Sequence, residues 1–262
     1  MSRPIRAIID LDALRHNCRV ARRHACDASV WAVVKANAYG HGLERAVRAL
    51  EQEADGFSLI ELERAVALRE AGLRHPLLLL EGFYATEELP WFVRHRLIPV
   101  IHRQDQLRAI LAHDWPQDLP VYLKIDSGMH RLGFDAAGLA EAAHALSARD
   151  IQIVLMTHFA DADGLRGVDW QLDRMASMCA GLNAPLSLAN SAALLRYPQA
   201  LGDWVRPGIM LYGGSPFAEM TATALDLKPV MTQDSEEYTQ YLDEDYARDG
   251  QDYESLAYRH YA

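Results

Sequence analysis

VYLKIDSGMHRLGFDAAGLAEAAHALSARDIQIVLMTH, residues 121–158, reads as strand, loop, helix, strand. VYLKI (121–125) and IQIVLMTH (151–158) are short apolar runs rich in β-branched residues. GLAEAAHALSA (138–148) between them carries its apolar residues at i, i+3/i+4 and i+7, the spacing of one helix face. Two strands joined through a helix pair in parallel, because the crossover returns the chain to the same end of the sheet.

The same alternation runs outward in both directions. WAVVK (31–35), FSLI (57–60), PLLLL (76–80), LIPVI (97–101), LSLAN (186–190) and WVRPGIMLY (204–212) complete a set of eight candidate strands, with periodic segments such as LERAVRALEQ (43–52) in between. Eight strand–helix units in a chain of 262 residues, half of them apolar, predict an α/β fold with a closed (β/α)8 barrel rather than an open sheet. Two smaller domains would also fit that length.

Charge and composition narrow the function. A net charge of −10 argues against a nucleic-acid or anionic-membrane partner, both of which select clustered Lys and Arg. Cys18, Cys26 and Cys179 form no CxxC pair, no secretory apolar segment follows MSRPIRAIID, and no run approaches the length of a membrane span, so a reduced, cytoplasmic location is expected. From Gln233 onward, nine acidic residues face only Arg248 and Arg259, and six of the eleven tyrosines fall there with few aliphatic residues. Residues 1–232 are therefore expected to form the barrel domain. Residues 233–262 are expected to be an acidic, tyrosine-rich tail, disordered or a loosely docked helix.

In a barrel of this kind the residues just past each strand line the active-site mouth. Lys35, Lys124 with Asp126, His158, Asn190 with Ser191, and Arg206 all fall at predicted strand ends. Each alone has an ordinary explanation: a solvated lysine, a helix N-cap, a packed histidine. Their repeated placement at one end of the barrel points instead to a site.

VVKANAYGHG, KIDSGMHRLGF (124–134), MTHFADAD (156–163), LANSAA (188–193) and VRPGIMLYG (205–213), in that order, resemble the barrel domain of the alanine racemases, fold-type III enzymes that use pyridoxal 5'-phosphate. The resemblance implies an isomerase that interconverts L- and D-alanine, working as a homodimer. It implies that Lys35 forms the Schiff base with the cofactor aldehyde, and that the hydroxyls of Tyr39 and Ser191 with the amides of Gly208 and Ile209 hold the phosphate. Asn190 joins the cofactor-binding set, Arg206 faces the pyridine nitrogen, and His158 supports the ring. Arg131 takes the substrate carboxylate, while Lys124, a lysine often carbamylated in the family, supports that arginine together with Asp126 and Met129. No metal is implied.

In the family, LKPVMT (227–232) leads into a C-terminal β domain that supplies a second, tyrosine base from the partner subunit. Here a segment of thirty residues, acidic and tyrosine-rich, follows, so the resemblance implies impaired racemisation. A single-domain pyridoxal phosphate carrier, which has no β domain either, is the alternative, and a non-functional fragment is a third reading. The segment IRAII (5–9), which in the family leaves the barrel to pair with that domain, is expected to show an exposed apolar edge.

Overall fold

The computed structural model describes residues 5–235, and the acidic tail from residue 236 lies outside them. Two compact units are formed, one by residues 10–230 and the other by the segments flanking them. In the second unit, β1 (Ile5–Ile9) pairs antiparallel with β10 (Met231–Ser235), Ile5 opposite Ser235 and Ile9 opposite Met231. The edge expected to be bare is thus paired, because an extended apolar segment satisfies its N–H and C=O groups on the nearest available strand. The expected boundary at residue 232 falls inside β10, whose last residues, 233–235, are strand. Ile8 remains 53% exposed.

The first unit is a closed parallel barrel of eight strands in sequence order. They are β2 (Ser29–Val33), β3 (Gly56–Leu59), β4 (Leu77–Leu79), β5 (Leu97–Ile101), β6 (Val121–Lys124), β7 (Ile153–Met156), β8 (Leu186–Ser187) and β9 (Trp204–Val205). Pairing of Ser29 with Trp204 and Val30 with Val205 closes it. Every residue of β3 to β6 is buried, as strands covered by helices outside and side chains inside require. Helices start where the sequence offers caps: Asp10 accepts from the Asp12 and Ala13 amides at 2.9 Å ahead of Leu11–Ala25, and Asp135 from Gly138 ahead of Ala136–Ser147.

LSLAN is strand only at Leu186–Ser187 and IQIVLMTH only at Ile153–Met156, and two further segments depart from the predicted strands. WVRPGIMLY is extended only through Val205. Pro207 has no N–H to give a ladder, and Ile209–Tyr212 close a 3-10 turn whose apolar residues Met210, Leu211 and Tyr212 are buried there. At the other end of the sheet register, β2 stops at Val33 and Lys35 opens a turn in which Ala36, Asn37, Ala38 and Tyr39 all have φ between 52° and 56°. Four consecutive non-glycine residues in the left-handed region each cost roughly 1–2 kcal/mol, so tertiary contacts must hold them. The hydrogen bonds from Ala38 N to Val34 O (2.9 Å) and from Leu43 N to the Asn37 side chain (2.9 Å) supply part of that restraint. Placing a β-branched residue at exposed Ala36 is expected to lower stability by about 1–2 kcal/mol, whereas Ala36→Gly should not. Urea midpoints of Ala36→Val and Ala36→Gly check this, and equal midpoints would contradict the strain.

Candidate active site

A cavity of about 420 Å³ opens at the C-terminal ends of the barrel strands. Ten of the sequence-predicted residues meet there: Lys35, Tyr39, Lys124, Arg131, His158, Asn190, Ser191, Arg206, Gly208 and Ile209. Asp126 and Met129 are not among its walls. Asp126 turns into its own loop, accepting from the amides of Gly128 and His130 at 2.9 Å and pairing with the His130 ring at 3.0 Å. That loop is pinned by Phe134 N to Lys124 O (2.8 Å) and Asp126 N to Phe134 O (3.0 Å), which needs Gly133: a Cβ there would lie 2.4 Å from the Asp126 nitrogen.

Ser191 begins the helix Ser191–Arg196 and Asn190 caps it, its side chain accepting from Ala193 N at 3.0 Å. Ser191 Oγ in turn accepts from Gly208 N at 2.9 Å and from Met210 N at 3.5 Å, so a hydroxyl and a run of backbone amides converge on one spot. Tyr39 closes it. Its hydroxyl lies 2.6 Å from where a Gly208 Cβ would stand, and its ring stacks on Tyr212 at 4.7 Å. Tyr212 is fixed by donation to Val33 O at 2.9 Å. Hydroxyls and amides at the mouth after the last two barrel strands form a site suited to a phosphate.

Arg206 is buried just past β9 and, among the described residues, meets no carboxylate. Its guanidinium donates to Ser187 Oγ (2.7 Å), Thr157 O (2.5 Å) and Leu188 O (3.1 Å). Burial pushes its pKa down to about 10, which still leaves it a cation at neutral pH. The His158 ring is held well below the usual histidine range by burial first, then by Arg206, Arg131, Lys124 and Lys35, so it is a neutral imidazole. Lys124, at the end of β6, is pushed down to about 8 by burial and by the charges of Arg131, Arg206 and Lys35, with Glu81 opposing. The walls carry four cations, Lys35, Lys124, Arg131 and Arg206, against the carboxylates of Glu81 and Asp163. This is a host for an anion.

Lys124 yields a stability prediction with a definite sign. Its folded pKa lies below its unfolded one, so the buried ammonium penalises the fold at neutral pH, and the penalty fades as pH rises from about 8 towards 10.5. Lys124→Met is expected to stabilise the barrel by about 1–3 kcal/mol at pH 7 in bicarbonate-free buffer. The gain should shrink between those two pH values. Denaturation at pH 7 and pH 10 checks it, and a destabilised variant at pH 7 would contradict it.

Several groups here escape a reading of the sequence. Glu81 follows PLLLL directly and could have been found by the rule that located Lys35. Gln171 could not. It sits unmarked in the helix Asp169–Met178, yet donates to Ser127 Oγ (2.8 Å) and His158 O (3.2 Å) and accepts from Ala160 N (2.7 Å), fixing the strand end that carries His158.

Comparison with known proteins covers the span that holds this cavity. The family described as "Alanine racemase, N-terminal domain" matches residues 9–216. The alanine racemase of Nitrosospira multiformis is 51% identical over 240 residues, spanning 90% of this chain and 67% of that protein. The catabolic alanine racemase of Pseudomonas aeruginosa is 47% identical over 237 residues, spanning 89% and 66%. Among solved structures, the biosynthetic alanine racemase of P. aeruginosa superposes with a TM-score of 0.84 at 43% identity, covering 88% of this chain and 66% of that one. The enzyme of Acinetobacter baumannii does so at 0.82 and 36%, covering 88% and 70%. The chain thus spans about two thirds of the length of these relatives, and across that span the strand-end residues occupy one cavity. By sequence and by fold, the chain belongs to the alanine racemase family.

Proposed function

We propose that the chain binds pyridoxal 5'-phosphate at the barrel mouth and interconverts the enantiomers of alanine. The observation that carries the proposal is the meeting of one reachable primary amine, Lys35, with a hydroxyl-and-amide cradle and a buried arginine in a single cationic cavity. The donor set fits the cofactor: Ser191, Tyr39 and the backbone at Gly208 and Ile209 would hold a phosphate, and Lys35 would hold the aldehyde end. When bound, the cofactor supplies an electron-withdrawing ring that makes the α-proton of an amino acid removable.

The chain's own groups then have distinct roles. Lys35 accepts or returns a proton on its side of the substrate carbon. Arg206 has five N–H donors and no acceptor, so beside a ring nitrogen it can donate a hydrogen bond but cannot take a proton. His158, neutral and held by Gln171 through its backbone, contributes a flat, uncharged wall. Arg131, exposed at the rim, is free to meet the carboxylate of an incoming amino acid in a two-point contact. Lys124 with a pKa of about 8 is neutral in roughly a tenth of molecules at pH 7, and only a neutral amine adds to carbon dioxide. The resulting carbamate would replace the repulsion between Lys124 and Arg131 with attraction. A homodimer and a cytoplasmic location belong to the same reading.

Incubation of L-alanine with the protein and pyridoxal phosphate, followed by chiral chromatography, tests the proposal. D-alanine should accumulate. Tight cofactor binding with no D-alanine would favour a carrier role instead.

A further inference from the structure

A second cavity of the barrel unit, about 900 Å³, lies at the opposite end from Lys35. Its walls are the starts of strands: Pro76 before β4, Pro120 before β6, Gln152 before β7, Pro185 before β8, and Trp204 opening β9. The volume is in the upper part of the range typical of small-molecule pockets, roughly 300–1,000 Å³. Its base is aromatic. Half-buried Trp204 stacks on Trp31 at 4.4 Å and 25°, and Trp31 is itself fixed by donation of its indole N–H to the Tyr122 hydroxyl at 3.0 Å.

The rim is as cationic as the base is aromatic. Arg69, Arg74, Arg94 and Arg96 line it, and the one carboxylate among the lining residues, Asp118, is engaged by Arg96 at 2.8 Å. Arg69 is used structurally, donating to the carbonyls of Leu73, His75 and His95. Its pKa is lowered by burial and by the neighbouring charges of Arg74 and Arg96, so the cluster repels itself. Arg74 and Arg94 are not used in this way. Among the described residues neither makes an ion pair or a side-chain hydrogen bond, and Arg94 only rests over the Trp91 ring. In a chain of net charge −10, two guanidiniums without a protein counter-charge beside an aromatic floor are placed to receive an anion.

We propose that this cavity binds a small aromatic anion, a planar ring that lies against Trp204 and bears a phosphate or carboxylate held by Arg74 and Arg94. A ring gains stacking on an indole already held rigid, and a guanidinium pair suits either oxyanion. The site is separate from the Lys35 cavity, and the proposal does not depend on the function assigned there.

Isothermal titration of the full chain at low salt tests it, with adenosine 5'-monophosphate and indole-3-carboxylate as the two aromatic anions and adenosine and inorganic phosphate as the separated parts. At least one aromatic anion should bind saturably below about 1 mM, and the separated parts about tenfold more weakly or worse. Binding of the monophosphate identifies a phosphate ligand, and binding of the indole acid a carboxylate. The double variant Arg74→Ala/Arg94→Ala alters exposed rim residues, so it should fold, and it should weaken binding by about tenfold or more. Trp204→Leu should do the same. No saturable binding of either anion would overturn the proposal, as would binding that the double variant leaves unchanged, since that would place the anion in the cradle at Ser191.

Discussion

Replacement of Lys35 by alanine is expected to abolish covalent attachment of pyridoxal phosphate and to slow α-proton exchange from alanine by about 10²–10⁴. Two primary amines line the mouth, and their positions differ. Lys35 stands half-buried at the entrance to the left-handed turn, whereas Lys124 is 8% exposed at the end of a central strand. Arginines cannot substitute, because a guanidinium stays protonated and does not add to an aldehyde under these conditions. Borohydride treatment of the protein with cofactor, followed by peptide mass spectrometry, should place the adduct on the Lys35 peptide and lose it in Lys35→Ala. An adduct on Lys124, or one that survives the substitution, would contradict the assignment.

Gly208→Ala should weaken cofactor binding by about tenfold to a hundredfold while leaving the fold nearly as stable. The added methyl would stand 2.6 Å from the Tyr39 hydroxyl, a contact that cannot persist, and 3.8 Å from the Val33 side chain, one that can. What must give way is the tip of Tyr39, which swings out of the cradle at small cost because no backbone is displaced. Tyr39→Phe should lose a comparable part of the affinity, and the double variant should lose little more than either alone, since both act on the same hydroxyl. Equilibrium titration with cofactor beside thermal melts gives both quantities. An unchanged affinity in Gly208→Ala would mean that the phosphate sits elsewhere.

The eight barrel strands are legible because a strand buried on both faces must be mostly apolar, and FSLI, PLLLL, LIPVI and VYLKI are, apart from Ser58 and Lys124. The same criterion misleads at 204–212. There Met210, Leu211 and Tyr212 are apolar because they are buried in a 3-10 turn, with Asn17 donating to Leu211 O at 3.0 Å, and burial alone does not distinguish a turn from a strand. The left-handed run at 36–39 is illegible for another reason. Local preference argues against it, with two alanines and a tyrosine at positive φ, and only tertiary contacts impose it. Site residues follow the same division. Lys35, Lys124, His158 and Arg206 are found because chemistry-bearing residues close an apolar run, a one-dimensional signal. The acceptors of Arg206 on Thr157 and Leu188, the grip of Gln171 on His158, and the arginine rim at the far end of the barrel are assembled from separate elements, and nothing in their sequence neighbourhoods marks them.

In the function proposed above, Lys35, with pyridoxal phosphate beside it, moves the α-proton of alanine from one side of the carbon. The resemblance to the alanine racemases implies a tyrosine base on the opposite side and a D-alanine proton that faces the lysine. Proton exchange in deuterium oxide, measured by mass spectrometry on D-alanine and L-alanine in separate incubations of the cofactor-loaded chain, tests this most directly. D-alanine should exchange faster by at least about tenfold, a conservative fraction of the roughly 10²–10⁴ that a positioned base contributes. Equal exchange of the two enantiomers, or exchange of neither, would contradict the account.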